Sequence, residues 1–292
     1  MRNQFTAPPA LLWEPLLQRA FEEDLGTAGD LTTQSILGEE TTIARIVSRE
    51  TGIVAGLEVA ARAFTFYDAA LEIAVRCADG DRVGRGDVLL EVTGSAASIL
   101  IAERTALNLL GRMCGIATAT RALVDLVDGT GAQVVCTRKT TPGLRALEKY
   151  AVRCGGGGNH RFGLDDAVLI KDNHIAVAGG VAEAIRRARE TVGHMVKIEV
   201  EVDTLEQLGI ALEAGAEAVL LDNMPPETLR EAVALCNGRA LAEASGGITA
   251  DTIRAVAETG VDLISVGALT HSVRSFDVGL DIDLAPDCFE RW

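Results

Sequence analysis

One repeated unit in the second part of the chain constrains the fold more than any other feature of the sequence. From about Ala132 onward, a short apolar run ends in a polar residue and is followed by a segment of helical period that closes with glycine. Strands that alternate with helices predict a parallel sheet, and strands that are apolar almost throughout predict a sheet covered on both faces. The apolar runs lie at 133–139, 167–171, 195–202, 218–222, 240–247 and 262–268.

Six such units favour an α/β barrel over a doubly wound open sheet. The open sheet would carry a G-x-G-x-x-G turn after its first strand, and the sequence has none of that form. In barrels, chemistry takes place at the C-terminal ends of the strands. The expected strand ends carry Arg138, Lys139, Lys171, Glu201, Asp222, Ser245 and Gly267.

The helices between these strands carry recognisable start signals. Thr204 followed by Gln207 is a possible capping box, and Leu205, Leu208 and Leu212 would form the buried stripe of that helix. The pair at 225–226 is Pro-Pro, which suits the start of the next helix.

The first 115 residues lack the repeat and predict a separate α+β domain, with the barrel over 116–274. A helix is expected over Leu11–Glu23, and short strand-like runs with Gly-Asp turns follow it. The segment 79–94 is similar to the hairpin of a lipoyl or biotinyl carrier domain. Because the chain has no lysine before Lys139, this hairpin has no attachment point, and we interpret it as scaffold.

Composition excludes several classes of protein. The formal net charge of −15 opposes non-specific binding to nucleic acid, so a local cluster of cationic side chains is informative. No apolar run approaches the roughly 18 residues that span a bilayer, and the start of the chain lacks the pattern of a signal peptide, so we expect no membrane partner and a cytoplasmic protein. The six cysteines are scattered, which predicts neither a disulfide nor a zinc site.

The densest cationic cluster lies between positions 136 and 174 and includes a four-glycine run at 155–158. Arginine gives bidentate contacts to carboxylates, lysine supplies a compact charge, and glycine lets the backbone approach a ligand. A solvated basic loop is the plain alternative. Because the basic residues fall on two strand ends and the loop between them, we favour a site for a small dianion, formed by Arg138, Lys139, His160, Arg161 and Lys171.

Acidic residues and glycines follow on the next strands. Glu199 and Glu201 share one strand face and should point into the barrel, where they need a cation, either Lys197 and its neighbours or Mg²⁺ held with ribose hydroxyls. Asp222 ends the next strand, so Glu201 and Asp222 can offer Mg²⁺ the oxygen ligands that it prefers. Glycine loops ahead of helix starts, such as one near Thr249, predict phosphate binding at residues 245–247 and 267–268.

Seven segments, spread along nearly the whole chain, together carry a resemblance to a known family. They are EDLGTAGDLTT (23–33), ERTALNLLGRMCGIATAT (103–120), TRKTTPGLRALEKYAVRCGGGGNHR (137–161), LIKDNH (169–174), EVEVDTLEQL (199–208), VLLDN (219–223) and EASGGIT (243–249). These segments resemble the quinolinate phosphoribosyltransferase family. One departure is Cys114, where the family usually has serine, and we expect no functional consequence from it.

The resemblance implies an N-terminal α/β sandwich domain and an open, irregular TIM-like α/β barrel, with the tail 275–292 returning to the first domain. It also implies a homodimer with shared active sites and leaves further assembly open. Arg104 would reach the substrate of the neighbouring subunit, and Lys139, Lys171, Glu201 and Asp222 would be catalytic. The implied binding residues within one subunit are Thr137, Arg138, Lys139, His160, Arg161 and Lys171 for quinolinate, Glu201 and Asp222 for ribose and Mg²⁺, and Ser245, Gly246, Gly247, Val266, Gly267 and Ala268 for phosphate.

The implied reaction joins quinolinate to phosphoribosyl pyrophosphate and yields nicotinate mononucleotide, pyrophosphate and CO2, a step of NAD biosynthesis. It needs Mg²⁺ but no organic cofactor, because the ribosylated pyridinium is itself the electron sink for loss of the 2-carboxylate. Two alternatives stay open. One is a related phosphoribosyltransferase of nicotinate type or of the type found beside molybdate transport genes, and the other is a non-catalytic barrel that binds phosphosugars.

Overall fold

The structure is a computed structural model that describes residues 5–282. It divides into two compact units. The first comprises residues 5–119, 141–156 and 272–282, and the second comprises residues 120–140 and 157–271. The domain boundary expected at residue 115 stays a prediction.

Helices and strands are bounded as follows. The helices are α1 Glu14–Leu25, α2 Leu31–Ile36, α3 Leu57–Tyr67, α4 Ala96–Leu126, α5 Arg145–Cys154, α6 Asp172–Ala178, α7 Val181–Thr191, α8 Leu205–Glu213, α9 Pro226–Cys236, α10 Ile253–Ala257 and α11 Ala268–His271. The strands are β1 Thr41–Ser48, β2 Gly52–Ile53, β3 Glu72–Val75, β4 Arg82–Val83, β5 Val88–Ser95, β6 Gln133–Val135, β7 Val168–Ile170, β8 Ile198–Val202, β9 Ala218–Asp222, β10 Leu241–Ser245, β11 Leu263–Ser265 and β12 Val278–Ile282.

The second unit is built on a six-stranded parallel sheet in the order β6-β11-β10-β9-β8-β7. Its first strand, β6, pairs with its last, β11, as in a barrel, and a single parallel bridge joins Val135 to Gly158 ahead of β7. The sheet is therefore that of a barrel opened between β6 and β7. This confirms the expected fold class, and each predicted apolar run contains one of the six strands.

The register of the sheet brings the functional strand ends together. Ser245 at the end of β10 pairs with Asp222 at the end of β9, and Glu201 on β8 pairs with Leu220 on β9. Parallel strands in register end at the same edge of the sheet, so their terminal polar side chains share one rim. The buried stretches of β8 to β10 below this rim form the core, which explains why the runs are apolar almost throughout.

The first unit contains an antiparallel sheet in the order β12-β1-β5-β3, and a short β2–β4 pair. The segment 79–94 contributes β4 and most of β5, in line with its interpretation as scaffold. Strand β12 pairs with β1 from Ala44↔Ile282 to Ser48↔Val278, and the rest of the tail, 283–292, lies outside the described residues.

Helix α5 belongs to the first unit although it lies within the stretch assigned to the barrel from the sequence. The Tyr150 hydroxyl donates to Asp79 Oδ2 at 2.6 Å, and Arg112 Nη2 donates to Glu148 Oε1 at 2.8 Å. Asp79 and Glu148 are buried at 4% and 1% exposure, so these bonds compensate groups that would otherwise be costly to bury. Such long-range partners leave no mark in the strand-and-helix pattern.

Helix boundaries follow local chemistry. α1 covers Glu14–Leu25 rather than the expected 11–23, because Pro15 suits the first turn and residues 10–12 form a separate 3₁₀ turn. α9 starts at Pro226 as expected. Within the described residues, no helix is long and apolar enough to cross a membrane.

The start of α8 yields a stability prediction. Thr204 Oγ1 accepts a hydrogen bond from the Gln207 backbone N–H at 3.2 Å, while the Gln207 side chain accepts from the Asp203 N–H at 2.8 Å. Thr204→Ala removes this cap and should lower the free energy of unfolding by about 1 kcal/mol. Thr204→Ser keeps the hydroxyl and is the control. Urea unfolding of the three proteins tests this, and equal stabilities would show that the cap contributes nothing.

Candidate active site

A cavity of about 770 Å³ opens at the C-terminal edge of the parallel sheet and lies wholly within the second unit. Every site residue that the sequence places in this unit contributes to its lining. These residues are Thr137, Arg138, Lys139, His160, Arg161, Lys171, Glu201, Asp222, Ser245, Gly246, Gly247, Val266, Gly267 and Ala268.

Two guanidinium groups face this cavity with unused hydrogen-bonding capacity. Arg138 follows β6 and Arg161 precedes β7, and the Nε atom of each is buried without a hydrogen-bond partner among residues 5–282. Arg161 Nη1 donates to the Ala167 carbonyl at 2.9 Å, which fixes the orientation of that side chain. Burial and the neighbouring charge of Arg138 hold the pKa of Arg161 below its usual range. The two guanidinium groups form a cationic wall, and their mutual repulsion and unpaired buried Nε atoms favour an anionic ligand there.

His160 connects this cationic wall to the acids of the sheet. Its Nε2 lies 2.9 Å from Glu199 Oε2 and 3.7 Å from Glu243 Oε1, and its Nδ1 accepts from the Arg161 N–H at 2.7 Å. Lys197 and its neighbours or Mg²⁺ were expected as the cation for Glu199 and Glu201, and the structure places His160 beside Glu199 and Lys171 beside Glu201. The loop before β7 folds over the sheet and supplies an imidazole, which periodicity along β8 could not reveal.

Glu243 on β10 is the most deeply buried acid of the cavity, with 2% of its surface exposed, and its Oε1 has no hydrogen-bond partner among the described residues. Burial, and then the charge of Glu199, raise the pKa of Glu243 to about 7, while His160 and a hydrogen bond from Ser265 oppose this rise. Glu243 was not expected among the site residues. An inward-facing glutamate in the apolar run LAEAS was the available signal.

Glu201 and Asp222 lie at neighbouring strand ends, as expected. Glu201 contacts the Lys171 ammonium group, and Asp222 Oδ2 accepts from Asn223 Nδ2 at 2.6 Å. Asn223 also lines the cavity and has a φ of 53°, a left-handed conformation that asparagine tolerates better than most residues. Both carboxylates line the cavity, so they can offer oxygen ligands to a hard cation beside an anionic substrate.

The glycine loops after β10 and β11 complete the rim. Gly246 and Gly247 have φ of +97° and +59°, which favour glycine at both positions. A helix follows each loop, as expected, but the first helix begins later than the expected position near Thr249. α10 begins only at Ile253 after a turn, and α11 has four residues, so exposed backbone N–H groups rather than a helix dipole are available there.

Lys139 and His271 flank the second loop. A Cβ on Gly267 would lie 3.1 Å from Lys139 Cδ and 3.2 Å from His271 Nε2, and Thr270 Oγ1 donates to the Lys139 carbonyl at 2.8 Å. His271 lines the cavity and was missed from sequence because it follows the last strand by a full turn.

Arg104 belongs to the first unit, on α4. Its side chain is 63% exposed, with Nη2 3.6 Å from Glu103 Oε1. It lines a second cavity of about 420 Å³ that is formed with residues 274–278 of the same unit. The role expected for Arg104 in a neighbouring subunit stays a prediction.

Comparison with known proteins decides the family. The description "Quinolinate phosphoribosyl transferase, C-terminal domain" matches residues 116–281, and the corresponding N-terminal domain description matches residues 30–114. The chain belongs to the quinolinate phosphoribosyltransferase family.

Curated relatives and solved structures of this family agree with that result. The probable nicotinate-nucleotide pyrophosphorylase [carboxylating] of Bacillus subtilis is 49% identical over 94% of this chain and 95% of its own. The enzyme of Mycobacterium leprae with the same carboxylating description is 47% identical over 91% and 95%. The nicotinate-nucleotide pyrophosphorylase structure from Francisella tularensis has a TM-score of 0.92 at 39% identity and covers 97% and 100% of the two chains. The human nicotinic acid phosphoribosyltransferase, at 12% identity and a TM-score of 0.59, shares the fold alone.

The rim of this family member can be tested by two glycine substitutions. A Cβ on Gly246 would lie 2.1 Å from Asn223 Oδ1 and 3.0 Å from the Asn223 backbone N, whereas a Cβ on Gly247 meets no atom within 4 Å. Gly247→Ala should lower the free energy of unfolding by about 1 kcal/mol, because only its φ is unfavourable. Gly246→Ala should cost a further ~1 to 3 kcal/mol, since it adds a clash. Urea unfolding measures both, and equal losses would exclude the close approach of Asn223 to Gly246.

Proposed function

We propose that this chain catalyses the transfer of a phosphoribosyl group from phosphoribosyl pyrophosphate to quinolinate, with loss of the 2-carboxylate as CO2. The observation that carries the proposal is the pair of guanidinium groups of Arg138 and Arg161 on one wall of the cavity, each with a buried Nε that has no hydrogen-bond partner among residues 5–282. Quinolinate carries two adjacent carboxylates, and bidentate or paired contacts to arginine suit them. The names of the curated relatives, nicotinate-nucleotide pyrophosphorylase [carboxylating], support the same reaction.

The cationic wall favours quinolinate over nicotinate, the monocarboxylate of the alternative reaction. A single carboxylate offers the two guanidinium groups fewer acceptor oxygens than the two carboxylates of quinolinate do, so it satisfies the two buried Nε donors less well. His160 fixes the Arg161 backbone through its Nδ1 and is itself bonded to Glu199, so the wall is held before the substrate arrives.

The opposite side of the cavity suits the phosphosugar. We assign the ribose hydroxyls to Glu201 and Asp222, and the phosphates to the loops at 245–247 and 266–268 together with Lys139. The donor set fits Mg²⁺, because two carboxylates lie beside the expected position of a pyrophosphate. When bound, Mg²⁺ would neutralise charge on the leaving pyrophosphate. Glu201 would then exchange its contact with Lys171 for the metal or the sugar, which leaves the Lys171 ammonium group for a substrate anion.

Positioning accounts for the first chemical step in this proposal. The pyridine nitrogen displaces pyrophosphate at C1 of the sugar, and the carboxylates of Glu201 and Asp222 stabilise the positive charge that develops there. No protein nucleophile is needed. The resulting pyridinium accepts the electron pair that the departing 2-carboxylate leaves on C2.

We further propose that the protein acts in the cytoplasm as a homodimer.

A substrate comparison tests the proposal. The purified protein with Mg²⁺ and phosphoribosyl pyrophosphate should release equimolar pyrophosphate and CO2 from quinolinate, and little pyrophosphate from nicotinate. Turnover of nicotinate at an equal rate would favour the nicotinate-type alternative. Binding of phosphoribosyl pyrophosphate without turnover of either acid would instead indicate a non-catalytic phosphosugar-binding barrel.

Two lysines of the cavity should be required for turnover. Lys139→Ala and Lys171→Ala each remove a cation that faces substrate anions, and kcat/KM should fall by at least about 100-fold while thermal unfolding is unchanged. Lys197→Ala is the matched control, because Lys197 is exposed and precedes β8 at the end away from the cavity. Wild-type turnover in either of the first two variants would contradict the assignment of the cavity.

The proposed dimer makes a test that a monomeric enzyme cannot pass. If Arg104 serves the neighbour's site and Lys171 its own, Arg104→Ala and Lys171→Ala homodimers are both inactive, but a mixed dimer has one site with both lesions and one intact site. Random reassortment of equal amounts makes half of the dimers mixed, so the mixture should recover about a quarter of the wild-type activity per chain. Native mass spectrometry confirms that the mixed dimer is present. If it is present and inactive, the shared-site arrangement is wrong.

A further inference from the structure

Loss of CO2 from the pyridinium leaves a carbanion at C2 that must take up a proton, and the proposed function so far assigns no group to supply it. The bond between C2 and the carboxylate carbon breaks, its electron pair stays on C2, and a new C2–H bond must form. The donor has to line the cavity beside the cationic wall of Arg138 and Arg161, carry a proton at neutral pH, and be able to release that proton.

We propose that Glu243 is the catalytic acid that protonates C2. Glu243 lines the cavity from β10, beside His160, which adjoins the cationic wall. Its Oε1 has no hydrogen-bond partner among the described residues. The proton on Glu243 passes to C2, the Glu243 carboxylate remains, and water reprotonates it after the product leaves. This assignment rests on the proposed decarboxylating reaction.

The surroundings of Glu243 favour the protonated carboxyl group. From β8 it faces Glu199, whose negative charge, together with burial, raises the pKa of Glu243 to about 7. From the loop before β7 it faces His160, from β11 the Ser265 hydroxyl, and from β9 the apolar Leu220. An acid with a pKa near the working pH is both protonated in part and able to donate, which is the condition for efficient general acid catalysis.

Other groups that line the cavity are less suited to this step. A guanidinium group is not deprotonated in proteins, so the arginines cannot supply the proton. The carboxylates of Glu201 and Asp222 already have partners, because Glu201 contacts Lys171 and Asp222 accepts from Asn223. Both nitrogens of His160 already have partners, Glu199 at Nε2 and the Arg161 N–H at Nδ1. Among these groups, Glu243 is the buried acid that lines the cavity and has an oxygen without a hydrogen-bond partner among the described residues.

Glu243→Gln keeps the shape of the side chain and removes the acid. In single-turnover experiments with quinolinate, phosphoribosyl pyrophosphate and Mg²⁺, pyrophosphate should form at the wild-type rate, whereas nicotinate mononucleotide should form about 100-fold more slowly. Glu217→Gln is the matched control, since Glu217 accepts hydrogen bonds from the Ile198 N–H and from Arg189 and does not line the cavity. It should slow both products together or neither, without separating them.

Ser265→Ala supplies a second test that does not depend on the folding of Glu243→Gln. The Ser265 hydroxyl lowers the pKa of Glu243, so its removal should raise that pKa. Because the acid form is the active one, the rate of mononucleotide formation falls as pH rises through the pKa, and this fall should move to higher pH in Ser265→Ala.

The outcomes separate the two proposals. Failure of the wild-type protein to release CO2 would overturn the proposed function itself. With an active wild type, equal slowing of pyrophosphate and mononucleotide in Glu243→Gln, or no slowing, would overturn the role of Glu243. If Glu243→Gln does not fold, the pH profile decides. A profile that moves upward in Ser265→Ala supports Glu243 as the acid, and an unmoved profile excludes it.

Discussion

The repulsion between two guanidinium groups on one wall of the cavity governs the organisation of this active site. Arg138 and Arg161 face one cavity, and each holds a buried Nε without a partner among residues 5–282. This arrangement is unfavourable without a bound anion, because two like charges lie close to each other and two buried donors lack hydrogen bonds. A bound dianion would relieve this repulsion and satisfy the two donors. The arrangement therefore favours binding of a dicarboxylate over a monocarboxylate.

Acidic residues of the sheet partly compensate these positive charges, and they lie at different depths in the sheet. Glu199 lies within the sheet and bonds to His160, whose ring in turn accepts from the backbone of Arg161. Glu201 and Asp222 lie at the rim, where they contact Lys171 and Asn223. The cationic wall of Arg138 and Arg161 and the proposed sugar side therefore differ in charge within one cavity. That separation lets the nitrogen edge of a pyridine ring face the sugar while its carboxylates face the arginines.

The sequence was sufficient for the parts of this account that depend on period and position along a strand. The repeated units predicted the parallel sheet, and the polar residues at the strand ends proved to line the cavity, because parallel strands in register end at one edge. What the sequence missed depends on contacts between distant segments. The partner of Glu199 comes from a loop that crosses the sheet, and Glu243 was hidden in an apolar run. The grouping of α5 with the first unit likewise rests on the contacts of Tyr150 and Glu148.

The most direct test of the central claim is a crystal structure of the protein with quinolinate bound. We expect carboxylate oxygens to lie about 2.7–2.9 Å from Arg138 Nε and Arg161 Nε, so that both unpaired N–H donors gain a charge-assisted hydrogen bond. The pyridine nitrogen should then point toward Glu201 and Asp222. A quinolinate molecule that binds elsewhere, or one that leaves both Nε atoms without a partner, would contradict the claim that the arginine pair selects the dianion.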